Sequence, residues 1–358
     1  MSSWRSGVRR VVPYVPGEQP KEKNIIKLNT NECPYPPAPE VEKLKESMNC
    51  DDLRLYPDPE IGDLVQVLAD YYHVSPKQVF VGVGSDDVLA MAFMTFFNSG
   101  RPILFPDITY SFYDVWADLY GIPYETIPLD GNFKIRTGDY IGKGNGGIIL
   151  ANPNAPTGEF LSLSGVEQII ASNPDSVVIV DEAYIDFGGE SALPLLEKYD
   201  NLLVVQTFSK SRAMAGMRIG FAIGNEEMIG YLQDVKYSFN SYTLNRPAIL
   251  LGTAAVKDDA YFKETCARVV KTREWTKKQL TELGFRFPDS RTNFIFAEHP
   301  LVPAKKIFDA LKRAGIYVRY FNKPRISEHL RITIGTDAQM QTLIDFLRDF
   351  LAKETPTE

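Results

Sequence analysis

The sequence predicts an α/β fold, in which a mostly parallel sheet has helices on both faces and a smaller α+β domain follows. Short runs of β-branched residues alternate with longer helical patterns up to about residue 245. These runs are continuously apolar and do not alternate with polar residues, which is typical of strands buried on both faces. A strand–helix–strand order of this kind builds a parallel sheet through crossover connections. Beyond residue 245 the rhythm changes.

The individual elements follow from this pattern. The predicted strands of the large sheet are Val79–Val83, Ile103–Phe105, Ile148–Ala151, Val177–Val180, Leu202–Gln206 and Ile219–Ile223. The helices predicted between them include Asp86–Phe97, Gly165–Ala171 and Glu190–Lys198. The later part predicts a long helical region from about Asn245 to Leu283, strand Asn293–Ala297, helix Ala304–Ala314, strands Ile316–Arg319 and Leu330–Ile334, and helix Asp337–Leu351.

The chain is long enough for two domains. Its 358 residues exceed the size at which a single core stops growing, which is roughly 250–300 residues. We predict an irregular N-terminal arm rich in Pro and Tyr (1–40), a large domain (41–245) and a small C-terminal domain (246–358).

The composition excludes several classes of protein. With 44% hydrophobic and 24% charged residues, the chain is neither disordered nor fibrous. A net charge of −7 argues against a nucleic-acid partner, because phosphate contacts need clustered Lys and Arg. The longest apolar run, Val88 to Phe97, is about half of what spans a bilayer. No apolar stretch before the first proline is long enough for a signal peptide.

The cysteines and histidines indicate neither disulfides nor a metal. Cys33, Cys50 and Cys266 are odd in number, far apart and in no CxxC pair, which excludes a disulfide framework and a cysteine zinc site. The three histidines are equally scattered, so no set of metal ligands is visible. We therefore expect a protein of the reducing cytoplasm, without a metal and without a membrane or nucleic-acid partner.

The residues best suited to chemistry come just after four of the predicted strands. In open α/β sheets, ligands bind outside the carboxyl ends of the strands. The four segments at those ends are Gly84-Ser85-Asp86, Asn152 to Gly158, Asp181-Glu182-Ala183-Tyr184 and Thr207-Phe208-Ser209-Lys210.

Each segment has an ordinary structural explanation when it is taken alone. Asp181 could cap a helix, and Lys210 could be a surface lysine, as most lysines are. Gly82 and Gly84 could form a tight turn, and the third glycine of a dinucleotide fingerprint is missing, which excludes a Rossmann NAD site. The stretch Gly142–Gly147 lacks Gly-Lys-Ser/Thr, so it is a loop and not a P-loop.

Together, however, the strand ends supply the groups that pyridoxal 5′-phosphate (PLP) requires. The amine of Lys210 can form a Schiff base with the cofactor and shuttle protons. The carboxylate of Asp181 can pair with the ring nitrogen and keep it protonated, so that the ring acts as an electron sink. The phosphate needs amides at a helix start, hydroxyls and a guanidinium. These are present in Gly84-Ser85-Asp86, Thr207, Ser209 and Arg218.

These residues also resemble a known family. Asp181 to Tyr184, Ser209-Lys210 with Arg218 behind it, and Pro156-Thr157-Gly158 resemble the fold-type I aminotransferases. From end to end, the chain more closely resembles the histidinol-phosphate aminotransferase family, whose relatives include aromatic aminotransferases and a threonine-phosphate decarboxylase. The stretches that carry this closer resemblance are Pro13–Gly17, Leu28–Glu32, Leu55–Pro59 and Leu330–Gly335.

The resemblance implies a role for each candidate residue. Lys210, Asp181 and Tyr184 would be catalytic, with Lys210 as general base and acid and Tyr184 bonded to the ring O3′. Tyr110 would stack on the ring, and Tyr56 would reach the cofactor phosphate of the neighbouring subunit in a homodimer. The substrate pocket would be lined by Tyr14 and Asn31, and the substrate phosphate would be bound by Arg319 and Arg331. The implied reaction converts histidinol phosphate and 2-oxoglutarate into imidazole-acetol phosphate and glutamate, in histidine biosynthesis.

One position departs from the family. The family usually has an asparagine immediately before the Pro-Thr-Gly turn, where it bonds the ring O3′, and this chain has Ala155 there. Either Asn154 or Asn152 turns inward instead, or Tyr184 bonds O3′ alone. We take Asn154 as the candidate cofactor contact.

Two other functions stay open at the level of sequence. Some PLP-fold domains are ligand sensors joined to a basic helix-turn-helix head, but an irregular Pro-rich arm stands where that head would be. An aldolase or a decarboxylase on the same scaffold is the stronger alternative. Which bond to the substrate α-carbon breaks depends on its orientation to the ring, and the strand-end motifs do not set that orientation.

Overall fold

The structure, a computed structural model, describes residues 4–22 and 24–354. In chain order the strands are β1 (Ile26–Leu28), β2 (Val79–Gly82), β3 (Ile103–Pro106), β4 (Tyr124–Ile127), β5 (Gly147–Ala151), β6 (Val178–Asp181), β7 (Leu202–Thr207), β8 (Gly220–Ile223), β9 (Phe294–Glu298), β10 (Ile316–Tyr320) and β11 (His329–Thr333). The α-helices are α1 (Pro39–Ser47), α2 (Gly62–Tyr72), α3 (Ser85–Phe96), α4 (Tyr113–Tyr120), α5 (Leu163–Ala171), α6 (Glu226–Phe239), α7 (Arg246–Lys257), α8 (Asp259–Glu282), α9 (Ala304–Arg313) and α10 (Asp337–Glu354).

The larger sheet has seven strands in the order β2-β8-β7-β6-β5-β3-β4. Strand β8 is antiparallel to both of its neighbours, β2 and β7. The other pairs, from β7 through β6, β5 and β3 to β4, are parallel. The prediction of a mostly parallel sheet is confirmed, and it places the carboxyl ends of β2, β5, β6 and β7 at one edge.

Helices cover both faces of this sheet, as the sequence predicts. One apolar core contains Ile149, Ile179 and Leu203 together with side chains of α3, α4 and α6. A second core contains their neighbours Leu150, Val180 and Val204 together with side chains of α5. Successive residues of a strand point to opposite faces, so a strand buried on both sides must be apolar at every position.

The smaller sheet has four strands in the order β1-β10-β11-β9 and shares a core with α8, α9 and α10. Strand β1 lies inside the predicted irregular arm and pairs in parallel with β10, from Ile26 opposite Ile316 to Leu28 opposite Val318. A three-residue strand is too short to show a period, and its partner is almost 300 residues away. This pairing brings the segment after Leu28 beside the end of the large sheet.

Two predicted helical regions differ in the structure. Glu190–Lys198 contains a 3₁₀ helix (Leu193–Glu197) in place of an α-helix, and its backbone bonds span three residues. The long helical region after Asn245 is divided into α7 and α8 at Asp258. The side chain of Asp258 accepts a hydrogen bond from Tyr261 N (3.4 Å) and caps α8.

The division into domains stays a prediction. Helix α7, which follows the predicted boundary, shares an apolar core with α1 and α2 and with residues of β2 and β8. In the part of the chain that is described, no helix has the length and apolar character needed to cross a bilayer.

Candidate active site

The turn from β2 into α3 forms one wall of the site. Gly84 has a φ of +84°, in the left-handed region that favours glycine, and α3 begins directly after it at Ser85. A side chain at Gly84 would overlap the guanidinium of Arg218, so the close approach of Arg218 also requires glycine. The first backbone N–H groups of a helix have no partners within it, so this turn presents free donors to an anion.

Arg218 and Ser209 complete that wall. Arg218 has a left-handed backbone (φ 54°), and its Nη1 donates to Ser209 Oγ at 3.2 Å. Its Nη2 donates to Asp86 Oδ2 at 3.3 Å. Thr207 ends β7, and its hydroxyl lies beside them on the same cavity wall. Amides, hydroxyls and a guanidinium therefore line the same wall of the cavity, and together they are the donor set that a phosphate needs.

Lys210 follows β7 and extends into the same space. Its Nζ donates to the backbone O of Thr30 at 3.1 Å and lies 5.8 Å from the centre of the Tyr184 ring. Both contacts are with uncharged groups, so they leave the amine available for a covalent partner.

Asp181 ends β6 and is almost completely buried. Its Oδ2 accepts a hydrogen bond from the Tyr113 hydroxyl (2.8 Å), and its Oδ1 accepts one from Ala183 N (3.2 Å). Burial raises the pKa of Asp181 to about 6, although these two hydrogen bonds lower it. A buried carboxylate bonded only to neutral donors is suited to a cationic group that the chain itself does not provide.

Two tyrosines stand beside these groups. The Tyr110 hydroxyl donates to Asp86 Oδ1 at 2.7 Å, and burial raises the pKa of Tyr110 well above its usual value. The Tyr184 hydroxyl oxygen accepts a hydrogen bond from Asn31 Nδ2 at 2.9 Å. The Tyr184 ring packs edge-on against Phe294, with 5.1 Å between the ring centres. Both rings are therefore held in fixed orientations.

All of these side chains line one cavity of about 170 Å³. The residues predicted from the sequence that line it are Ser85, Asp86, Tyr110, Asp181, Tyr184, Thr207, Ser209, Lys210 and Arg218. The other lining residues, none of which was among the predicted site residues, are Thr30, Glu32, Ala151, Ala155, Ala183 and Ala215. The alanines carry no polar atom in their side chains, and Thr30 and Glu32 reach the cavity only because β1 joins the small sheet.

The structure does not bring Asn154 to the cavity. Its Nδ2 donates to Ile108 O and to Thr157 Oγ1, both at 2.9 Å, and its Oδ1 accepts from Thr109 Oγ1 at 2.8 Å. Asn152 is also fully engaged, because its amide exchanges two hydrogen bonds with the backbone of Leu161. These local bonds hold both side chains in the turn, so neither replaces the asparagine that is missing at Ala155.

Asn31 and Tyr56 also lie elsewhere. Asn31 is buried behind Tyr184, where its side chain bonds Tyr184 and Thr333. Tyr56 stacks on Tyr242 with 4.6 Å between ring centres, and 77% of it is exposed. In the single chain Tyr56 therefore faces solvent, where a second subunit could cover it.

Two predicted arginines face each other across the small sheet. Arg319 on β10 is the direct partner of Arg331 on β11. Arg331 Nη2 donates to Asn29 O (2.9 Å), and its buried Nε has no hydrogen-bond partner among the described residues. Two like charges directly opposite each other destabilise a sheet unless an anion lies between them. Arg319 and Tyr14 line a second, wider cavity of about 570 Å³ along the N-terminal arm.

The cavity of Lys210 fits the cofactor that the sequence predicts. The donor set around Ser85 and Arg218 suits a phosphate, the Lys210 amine suits an aldehyde, and the buried Asp181 suits a protonated ring nitrogen. Among the described residues, no group of His, Cys, Asp and Glu could hold a metal ion.

This fold, with a lysine, a carboxylate and an anion cradle at one sheet edge, is the one that aminotransferases share with other PLP-dependent enzymes. Residues 23–347 match the family described as aminotransferase class I and II, and the chain belongs to this family. The histidinol-phosphate aminotransferase of Lactococcus lactis subsp. cremoris (strain MG1363) is 52% identical to the chain over 349 residues, which are 98% of each protein. The protein of the same name from Brachyspira hyodysenteriae is 52% identical over 341 residues, covering 95% of this chain and 96% of the relative.

A solved structure supports the fold. The histidinol-phosphate aminotransferase of Sinorhizobium meliloti, determined in complex with pyridoxal-5′-phosphate, superimposes with a TM-score of 0.82 at 24% identity and covers 92% of each chain. The family resemblance and the fold class predicted from the sequence are both confirmed.

Proposed function

We propose that this protein catalyses the transamination of L-histidinol phosphate with 2-oxoglutarate, which gives imidazole-acetol phosphate and L-glutamate in histidine biosynthesis. The observation that carries PLP-dependent chemistry is the placement of the Lys210 amine and the Asp181 carboxylate on the wall of one cavity. The choice of substrate is supported by relatives of that name that are 52% identical over nearly the whole chain. The partners in the reaction are small molecules, an amino donor and a 2-oxo acid.

The cofactor is pyridoxal 5′-phosphate. Its phosphate would be held by the amides of Ser85 and Asp86, the hydroxyls of Thr207 and Ser209, and the guanidinium of Arg218. Asp181 would hold the ring nitrogen, and Tyr110 would stack on the ring. When bound, PLP supplies a protonated aromatic ring that withdraws electrons from the substrate α-carbon.

Lys210 has two tasks in this assignment. Its amine would hold the cofactor covalently, and Nζ would act as the general base that removes the proton from the substrate α-carbon. The Thr30 carbonyl, 3.1 Å from Nζ, gives the amine a neutral acceptor that keeps the side chain inside the cavity.

We propose that Tyr184 is the residue that hydrogen-bonds the ring O3′, without help from an asparagine. Because the Asn154 amide is fully bonded within its turn, we assign this contact to Tyr184 alone. The Tyr184 oxygen accepts from Asn31 Nδ2, so its own hydroxyl hydrogen is free to be donated elsewhere. Asn31 would then influence the pocket through Tyr184.

Arg319 and Arg331 would bind the anionic end of both substrates. Guanidinium groups suit phosphate and carboxylate alike, so the same pair can serve histidinol phosphate in one half-reaction and glutamate in the other. The opposition of the two charges in the sheet register supports this, because a bound anion would relieve their repulsion.

A substrate panel tests the proposed function. We expect the wild-type enzyme to prefer histidinol phosphate over phenylalanine, tyrosine and threonine phosphate, measured as kcat/KM with 2-oxoglutarate as acceptor. With glutamate alone, the absorption of the bound cofactor should change to that of the pyridoxamine form. A preference for phenylalanine would overturn the substrate, and release of CO₂ from threonine phosphate would favour the decarboxylase.

Variants of the two arginines show which group binds the phosphate. Arg331→Ala should lower kcat/KM for both glutamate and histidinol phosphate. Arg319→Ala should lower kcat/KM for histidinol phosphate by about ten- to a hundredfold, and more than it lowers kcat/KM for glutamate. The reason is that a phosphate carries more charge and more acceptor oxygens than a carboxylate. Arg313→Ala, which removes an exposed arginine at the end of α9, is the control and should change neither. An Arg319→Ala enzyme that still discriminates fully between histidinol phosphate and histidinol would contradict the assignment.

We also propose that the active form is a cytoplasmic homodimer with shared sites. The three cysteines are free, which supports a reducing compartment. Exposed apolar side chains support the dimer, among them Leu53, Leu55, Tyr56, Phe239 and Tyr242. Tyr56 stacks on the exposed Tyr242, and from this position it would reach the cofactor phosphate of the other subunit.

Mixing two inactive chains tests the shared site. In a hybrid of Lys210→Ala and Tyr56→Phe chains, one of the two sites would combine an intact Lys210 with an intact Tyr56. Random pairing should therefore restore up to about a quarter of wild-type activity. A mixture of Lys210→Ala and Asp181→Asn chains is the control and should gain nothing, because both residues lie in the cavity of the same chain. Equal results from the two mixtures would exclude a contribution of Tyr56 across the interface.

A further inference from the structure

We propose that Tyr113 is a positioning residue for the reaction, whose hydroxyl holds the Asp181 carboxylate in place and in its charged form. The inference deepens the proposed function and rests on it, because it assigns to Asp181 the task of holding the cofactor ring. Nothing in the sequence singles out Tyr113, which is one of 18 tyrosines and stands in no strand-end motif. The structure places its oxygen 2.8 Å from Asp181 Oδ2.

The aromatic packing around Tyr113 leaves its ring a single position. Tyr113 is the first residue of α4 and is completely buried. Its ring lies edge-on to Tyr110 (5.7 Å between centres, 84° between planes) and to Phe105 (5.9 Å, 72°). Because these rings fix the Tyr113 ring, they also fix the direction of its hydroxyl. Tyr113 thus connects the ring expected to stack on the cofactor with the carboxylate expected to hold the ring nitrogen.

The hydrogen bond from Tyr113 matters because the groups around Asp181 have opposing effects on its ionisation. Asp181 is faced by the Tyr113 hydroxyl from α4, by the Asp86 carboxylate from α3, by the Lys210 amine after β7, and by Ala183 N. Burial and Asp86 favour the neutral acid, whereas the other three favour the carboxylate. Among the groups that lower the pKa of Asp181, Tyr113 has the largest effect. Burial raises the pKa of Tyr113 itself well above its usual value, so its hydroxyl keeps its proton and stays a donor.

Packing alone would not require this hydroxyl. The surrounding rings contact the aromatic face and edge of Tyr113, and phenylalanine would fill the same space. A fully buried hydroxyl is stabilising only when it is hydrogen-bonded, and the bond that Tyr113 makes is to a charged acceptor.

The test is Tyr113→Phe in the full-length holoenzyme, followed by the pH dependence of kcat and by the Kd for PLP. Losing the donor raises the pKa of Asp181, so a smaller fraction is ionised near neutral pH. We expect the low-pH limb of the kcat profile to move upward by about one pH unit. Turnover should fall by about tenfold on the acid limb near pH 5 and by about twofold at pH 7, and it should recover towards the wild-type value by pH 9. The Kd for PLP should rise in parallel.

Two comparisons make the test specific. Tyr140→Phe removes another buried hydroxyl, one with no hydrogen-bond partner among the described residues, and should keep the wild-type profile. In an Asp181→Asn background, Tyr113→Phe should cause little further loss of turnover, since the carboxylate charge that the Tyr113 hydroxyl stabilises is already absent.

The possible failures are distinguishable. A Tyr113→Phe enzyme whose turnover is lowered by the same factor at every pH would assign Tyr113 a packing role and overturn the inference alone. A wild-type profile for Tyr113→Phe beside a damaged Asp181→Asn enzyme would also overturn it, while the proposed function would stand. Full activity of Asp181→Asn would overturn the inference together with the role assigned to Asp181, whereas the proposed reaction would be overturned only by the substrate panel.

Discussion

Lys210→Ala is expected to lose turnover by at least about a thousandfold while it still binds PLP. The change removes the covalent attachment and the general base together, and general acid–base catalysis alone contributes about a hundred- to ten-thousandfold. The residues proposed to bind the phosphate, Ser85, Thr207, Ser209 and Arg218, are untouched, so the cofactor phosphate should keep its donors. Steady-state kinetics and equilibrium dialysis against PLP would measure the two effects separately.

Peptide mapping independently tests whether Lys210 is the lysine that binds the cofactor. Borohydride reduction of the holoenzyme should attach the label to Lys210, and label on any other lysine would contradict the assignment. Lys198→Ala is a suitable control, because Lys198 forms an exposed ion pair with Glu167 (3.1 Å). Its loss should leave turnover and labelling unchanged. Partial recovery of Lys210→Ala by added small primary amines would show that the missing group is a base.

Asp181→Asn is expected to lower turnover by about a hundredfold or more with little change in the fold. The amide keeps the shape of the side chain and removes the charge that would hold the cofactor ring protonated. Asp87→Asn is the matched control, because Asp87 lies nearby and its carboxylate accepts from the backbone of Val83 (2.8 Å). Wild-type turnover in Asp181→Asn would mean that the carboxylate is only structural.

Although Asp181→Asn should lower turnover, it should not lower the stability of the apoprotein. The pKa of Asp181 is raised to about 6 by burial, above its value in an unfolded chain. Because the pKa is higher in the folded protein, the free energy of unfolding decreases as the pH rises from the unfolded-state pKa to about 6. Above pH 6 it stays at the lower value. At pH 7.5 the Asn variant should therefore unfold at a temperature no lower than that of the wild type, measured by thermal denaturation without cofactor. A lower unfolding temperature would indicate that the charge stabilises the fold.

Those parts of the fold and site that depend on local patterns could be predicted from the sequence. The strands around Ile149, Ile179 and Leu203 are apolar at every position because both faces are covered, and such runs are visible without a structure. Lys210 and Asp181 were predicted because both stand at the carboxyl ends of such strands, and parallel strands bring those ends to one edge. The parallel strands and the lining of the cavity therefore place these two residues where the sequence predicted them.

Other features were decided only by contacts between segments distant in the chain. Asn154 was predicted to face the cofactor, yet Thr109 and the Ile108 carbonyl hold its amide away from the cavity. Asn31 reaches Tyr184 because β1 pairs with a strand almost 300 residues later.

By itself, the sequence determined the α/β class and predicted the sheet edge, with its lysine and carboxylate, at which the cavity lies. These follow from periodicity and from the rule that places ligands at strand ends. Only the tertiary structure decided how that carboxylate is held, because the Tyr113 hydroxyl meets Asp181 across 68 residues of chain. It also decided that Arg319 and Arg331 stand opposite each other. A side-chain contact of this kind depends on register and on the packing of neighbouring rings, and neither leaves a local pattern in the sequence.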